Sequence, residues 1–128
     1  MILTARLILG LNAIVICLIG FIYLYDPNIL LRNYGLSVSD PSMDNMLRST
    51  YGGLFLAMAS LFGLGAISTA RRAHSLELLS LFMGGLALGR IASLLMAGTP
   101  DPSILSLLAY EATASLVAIA FHWRLGTA

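Results

Sequence analysis

Charge is scarce in this chain. Of its 128 residues, 10% are charged, against about a quarter in an ordinary soluble domain. Lysine is absent, so all seven basic residues are arginine. Only one cysteine is present, Cys17, and it lies in an apolar run. It excludes an intrachain disulfide and says nothing of redox compartment. Two histidines and one cysteine are too few for a four-ligand zinc site without carboxylates. A net charge of +1 leaves no surplus for a polyanion, which excludes a nucleic-acid partner. No P-loop, no G-x-G-x-x-G after a strand and no G-x-S-x-G occurs. Neither a cofactor nor a metal is therefore expected.

What the chain has instead is apolar surface. Hydrophobic residues make up 59% of it, and the mean hydropathy is +0.91. A folded chain of this length still exposes roughly a third of its unfolded surface. That much apolar material cannot be hidden from water. A soluble globular enzyme and a disordered chain are excluded, and a small integral membrane protein remains.

A spanning helix needs about 20 mostly apolar residues. Four segments qualify: 7–25, 46–70, 76–97 and 104–123. They fill most of the chain, so residues 1–128 read as a single all-α transmembrane domain. The expected architecture is an up-down four-helix bundle with a short interfacial helix between helices 1 and 2. The first run is longer than a signal-peptide core and ends in bulky Tyr23-Leu24-Tyr25, so cleavage is not expected.

The punctuation agrees. Asp26-Pro27 ends the first span and opens a short helix over 27–34, with Asp as cap and Pro at the first helical position. Gly35 should stop it. Asp40-Pro41 repeats the signal, so helix 2 starts near Pro41 and is expected to close at Arg71-Arg72. Ser75 is expected to cap helix 3 and Gly98 to end it. Asp101-Pro102 starts helix 4. One side of the membrane then carries Arg6, Arg71, Arg72 and Arg124, and the other carries Arg32 with four aspartates. The positive-inside rule puts both termini in the cytoplasm.

Three charges fall inside predicted spans: Arg48, Arg90 and Glu111. A charge at membrane depth is costly and normally faces the bundle interior, paired. Arg90 lies seven residues before the end of helix 3, and Glu111 seven after the start of helix 4. At about 1.5 Å per residue, both sit roughly 10 Å below the same edge. Helices 3 and 4 are antiparallel neighbours, so an Arg90–Glu111 ion pair follows. Arg48 is expected to reach down to the same carboxylate. Helical spacing adds Tyr51, Gly52 and Phe55 beside Arg48, Tyr110 beside Glu111, Ser115 one turn beyond it, and Tyr23 on helix 1. If these faces converge, Tyr23, Arg48, Tyr51, Arg90, Tyr110 and Glu111 form an outward-facing polar pocket. Two arginines to one carboxylate would favour an anionic ligand, because guanidinium forks match carboxylate or phosphate. The plainer reading is a buried pair that only locks helix register.

Small residues at helical spacing, Gly52, Gly53, Gly85 and Gly89, are expected to let helices approach closely, within the bundle or along a homodimer seam. His74 and His122 share an interface with Trp123. That is ordinary belt chemistry, and we prefer it to bis-histidine haem ligation.

The stretch Arg48-Ser-Thr-Tyr-Gly-Gly-Leu-Phe-Leu-Ala, with Gly89-Arg90-Ile-Ala-Ser93, the later Glu111 and Asp26-Pro27…Tyr34-Gly35-Leu36, resembles a known family. It looks like the small bacterial four-helix membrane proteins catalogued as a domain of unknown function (number 4345). The likeness covers roughly residues 7–122. It implies a multi-pass bacterial inner-membrane protein and assigns no activity. A looser likeness to DoxX-like proteins rests on architecture.

Several functions follow as expectations. The first is binding of a small anionic amphiphile or lipid in the outer pocket. The second is an accessory or assembly subunit of a larger membrane complex, in which the Arg–Glu pair is purely structural. The third is a small transporter, although helix 1 lacks the carboxylate of small multidrug exporters. An enzyme is the least supported, because no nucleophile, metal or substrate can be named.

Overall fold

The computed structural model describes residues 1–126; the last two residues of the expected domain lie outside them. Helix α1 covers Ile2–Tyr25. A short helix α2, Asn28–Leu31, runs into a 3₁₀ turn at Arg32–Tyr34. Helix α3 extends over Pro41–Ile67, α4 over Thr69–Ala97 and α5 over Pro102–Gly126. Among the described residues α1, α3, α4 and α5 are long and apolar enough to cross a membrane. The all-α class and the four spans agree with the sequence reading. A multi-pass membrane protein is what such helices make.

The helix starts are written in aspartate and proline. The Asp26 carboxylate accepts from the Asn28 N–H at 2.9 Å. Asp40 accepts from the N–H groups of Ser42 and Met43, both at 3.0 Å, with Pro41 opening the helix. Asp101 accepts from the Ser103 N–H at 2.9 Å and from the Ser103 hydroxyl. That hydroxyl first, and the N–H second, hold the Asp101 carboxyl below its ordinary range. The stops are glycine. Gly35 at φ 68° and Gly98 at φ 91° take the left-handed backbone that other residues avoid.

One boundary differs from expectation. Helix α3 ends at Ile67, and Ser68, in extended conformation, precedes α4. Arg71 and Arg72 therefore sit in the first turns of α4 and do not close α3. Ser75 is not a cap; it is a buried helical residue. Arginines near a helix start oppose the helix dipole. Arg72 offsets this by turning back to the open carbonyls of α3, donating from Nε to Gly65 O at 3.3 Å and from Nη2 to Ala66 O at 3.4 Å.

Contacts divide the chain into two compact units. The first holds Met1–Leu9 and the chain from Leu64 onward. Its centre is the α4–α5 pair, which runs antiparallel: Ala73 meets His122, Ser80 meets Ser115, and Arg90 meets Glu111. The second unit, Gly10–Gly63, pairs the later part of α1 with the earlier part of α3. That pairing is antiparallel too, since Gly20 lies against Leu56, and Leu24 against Gly52. In the second unit Asn28 ties down the loop before α3. Its side-chain amide donates to Val38 O at 3.1 Å and accepts from Val38 N–H at 2.7 Å.

Of the glycines expected at close approaches, Gly52 is at one; the tightest others are Gly65 and Gly84. A Cβ on Gly65 would lie 2.3 Å from the Ser75 Cβ, and one on Gly52 2.7 Å from the Leu24 Cδ2. On Gly84 it would meet the Ser115 Oγ at 2.9 Å. At Gly85 and Gly89 it would meet nothing within 4 Å, and at Gly53 only the Arg48 carbonyl at 4.0 Å. Within this chain, the closest helix approaches fall at Gly52, Gly65 and Gly84, and Gly53, Gly85 and Gly89 face no neighbouring helix among the described residues. Gly84 and Gly85 are neighbours in sequence but about 100° apart on the helix, so only one can face α5.

Substitution separates the two sets. Gly65→Ala should lower stability by about 1–3 kcal/mol through overpacking against Ser75. Gly85→Ala and Gly89→Ala should leave it unchanged or raise it by up to about 1 kcal/mol through helix propensity. Thermal unfolding in detergent checks both; equal losses at all three positions would contradict this packing.

Candidate functional site

The first unit carries a bidentate ion pair between two spanning helices. Arg90 Nε donates to Glu111 Oε2 at 2.7 Å, and Nη2 donates to Oε1 at 2.8 Å. This is the fork geometry in which guanidinium and carboxylate bind most strongly. The antiparallel run of α4 and α5 sets the two side chains at equal depth, as their distances from the helix ends require. Glu111 is only 4% exposed, whereas the Arg90 side chain is 29% exposed. Tyr110, next to Glu111 in sequence, is also partly exposed. One stretch further along, the Ser115 hydroxyl donates to Ser80 O at 2.9 Å, and the two serine hydroxyls lie 3.3 Å apart. The sequence placed Ser115 on the Glu111 face; its partner Ser80 carried no signal. His122 Nδ1 lies 2.8 Å from Ala73 O, and His74 lies 3.6 Å from Glu77.

The second unit brings Tyr23, Arg48 and Tyr51 together. The rings of Tyr23 and Tyr51 are tilted at a centroid distance of 5.1 Å, and Tyr51 meets Phe55 edge-on at 5.5 Å. The expected reach of Arg48 to Glu111 is replaced by partners inside its own unit. Arg48 Nε donates to Asp44 Oδ2 at 2.5 Å, and Nη2 to Asp44 Oδ1 at 3.3 Å. Its Nη1 donates to the carbonyls of Leu24 and Tyr25, the latter at 3.0 Å. Those are the last carbonyls of α1, which have no acceptor role inside their own helix. Arg48 thus caps α1 from another helix, where the dipole favours a cation. The count of two arginines to one carboxylate no longer calls for an anion by itself, because Asp44 supplies the second carboxylate.

The segment Arg48–Leu54 is π-helical, flanked by α-helix on both sides. Sequence periodicity gave no sign of it. A π turn closes its hydrogen bonds five residues apart instead of four, so it holds one extra residue, and such turns are frequent at functional sites. Gly52 and Gly53, poor α-helix formers, lie inside it. The same turn sets Arg48, Tyr51 and Gly52 against the end of α1. Along the same two helices runs an apolar groove of about 530 Å³, lined by Ala13, Cys17, Phe21, Leu56, Ala59 and Ser60 among others. None of the six candidate residues lines it.

The sequence pattern of a family described as a domain of unknown function, DUF4345, matches residues 4–122. The chain belongs to this family. No curated protein and no solved structure matches it. The match covers most of the first and last spanning helices, the other two in full, the ion pair and the π segment.

Two outcomes test this geometry. Glu111→Ala should cost about 3–5 kcal/mol, because it leaves Arg90 without its carboxylate inside a span. The double change Arg90→Gln with Glu111→Gln should recover much of that loss in a thermal melt. Deleting Thr50 from the π segment should leave a continuous α-helix with both flanks in register, and a folded protein. Deleting Ala57 from regular helix should turn one flank by about 100° and destabilise it. Circular dichroism melts of the two deletions distinguish these outcomes.

Proposed function

We propose that the chain is a membrane protein that binds a small anionic amphiphile or lipid through Arg90. One observation carries the reading: Arg90 is gripped by both oxygens of a buried carboxylate, yet nearly a third of its side chain stays exposed within a membrane-spanning pair. A charge inside a span is expensive and is a candidate for function by default. Glu111 holds the guanidinium plane and offsets its charge, so the pair can be buried without a ligand. An anionic head that meets the exposed side of Arg90 gains charge-assisted hydrogen bonds in a medium of low dielectric. In this reading Arg90 touches the ligand, Glu111 is a positioning residue, and Tyr110 lies beside them. Tyr23, Arg48 and Tyr51 are already engaged with one another's helices, so their contribution is to the shape of the second unit. The arginine bias of the loops supports cytoplasmic termini in a bacterial inner membrane, with Arg90 nearer the outer face.

Mass spectrometry of detergent-purified protein provides the test. The wild type should carry a co-purifying anionic amphiphile and gain thermal stability when it is added back. The Arg90→Gln, Glu111→Gln double variant should fold and lose both. Retention by the double variant would refute the reading. So would a wild type that carries no lipid or metabolite and gains no stability from anionic amphiphiles.

A further inference from the structure

The turn between α3 and α4, in the first unit, gathers three arginines and, among the described residues, no acid. Arg6 Nε donates to Ala66 O at 3.1 Å, and Arg72 Nη2 donates to the same oxygen at 3.4 Å. Two guanidinium groups are thus each held within a hydrogen bond of one atom. Arg72 is 4% exposed, and Arg6 and Arg71 are exposed. Among the described residues no carboxylate lies within ion-pair distance of Arg6, Arg71 or Arg72. The first turn of α4 holds no acid, and the nearest acid along it, Glu77, lies beside His74.

Helix capping explains part of this. The end of α3 presents open carbonyls and about half a negative charge, which attract a guanidinium. Arg72 and Arg6 meet that need. It does not explain Arg71, whose side chain makes no hydrogen bond or ion pair among the described residues. Three positive charges against half a negative one leave a surplus of roughly two and a half charges. The turn follows the last residue of a spanning helix, at the depth where lipid phosphates lie.

We infer that this turn binds the phosphate headgroup of an anionic phospholipid, held by Arg6 and Arg71 with Arg72 behind them. Guanidinium forks match phosphate oxygens in geometry as well as charge. Arg72, fixed by Gly65 and Ala66, sets the floor of the site. Its carbonyl contacts keep it in place whether or not the lipid is bound. The site does not involve Arg90.

Native mass spectrometry in detergent, with phosphatidylglycerol and phosphatidylcholine supplied at equal concentration, tests the inference. The wild type should retain a phosphatidylglycerol adduct at least several-fold more than a phosphatidylcholine one. Arg71→Gln should lose that adduct with an unchanged melting midpoint, because the Arg71 side chain is exposed and makes no hydrogen bond or ion pair among the described residues. Arg6→Gln should reduce it several-fold. Arg32→Gln, which removes the same charge elsewhere, should keep it. Equal retention of the two lipids, or persistence of the adduct in Arg71→Gln, would overturn the site. An equal loss in Arg32→Gln would reduce it to net charge. Full displacement by millimolar inorganic phosphate would also overturn it, by making free phosphate the ligand in place of lipid.

Discussion

In a bilayer every backbone carbonyl must find a donor, and the ends of helices are where the helix itself provides none. Three of this chain's seven arginines answer that need. Arg48 takes the carbonyls of Leu24 and Tyr25 at the end of α1. Arg72 and Arg6 take those of Gly65 and Ala66 at the end of α3. A guanidinium carries five N–H donors in a planar fork, so one side chain serves two carbonyls at once. An ammonium on a flexible stem does this less well, and the three side chains that cap these ends are all arginine. Among the described residues no buried side-chain nitrogen or oxygen lacks a partner.

The opposite helix ends are handled locally. Asp26, Asp40 and Asp101 each accept from backbone N–H groups two or three residues ahead, and a proline follows each of them. A carboxylate there also suits the positive end of the dipole. The result is an asymmetry of range. The starts of α2, α3 and α5 are capped from within a few residues, whereas the ends of α1 and α3 are capped from another helix. Those starts therefore form with their own segments, and the ends of α1 and α3 are completed only when helices pack.

This asymmetry decides what was legible in the sequence. Asp40-Pro41, Asp101-Pro102, Gly35 and Gly98 mark boundaries because their chemistry is local and specific to residue type. The Arg90–Glu111 pair was legible because both partners are rare in a span and their depths could be counted. Arg48 was misread for the converse reason. Its partners in α1 are carbonyls, which every residue has, so no letter in the sequence marks them. The end of α3 was misread alongside it. Arg71-Arg72 looks like a stop, but the stop is Ser68 in extended backbone, and Arg72 acts on the helix behind it. The π segment was invisible because one extra residue in a turn leaves the apolar pattern on either side intact. Gly85 and Gly89 meet no helix of this chain among the described residues, because small-residue spacing gives a face without saying which neighbour it meets.

Once these arginines are accounted for, the three in-span charges no longer stand alike. Arg48 does work that the backbone of α1 requires, and removing it would leave carbonyls open. Arg90 and Glu111 grip each other through two hydrogen bonds, in the middle of helices that satisfy their own backbones at that depth. A pair of apolar side chains of similar volume would pack there without paying the desolvation of two charges, and such replacements are often neutral or stabilising. The fold could therefore be built without the pair, whereas each cap answers carbonyls that a helix end leaves open. What the pair adds is a guanidinium fixed in direction, partly exposed, and held in a medium where a charged hydrogen bond is strongest. That separation of roles is why Arg90, and not the equally conspicuous Arg48, carries the functional reading.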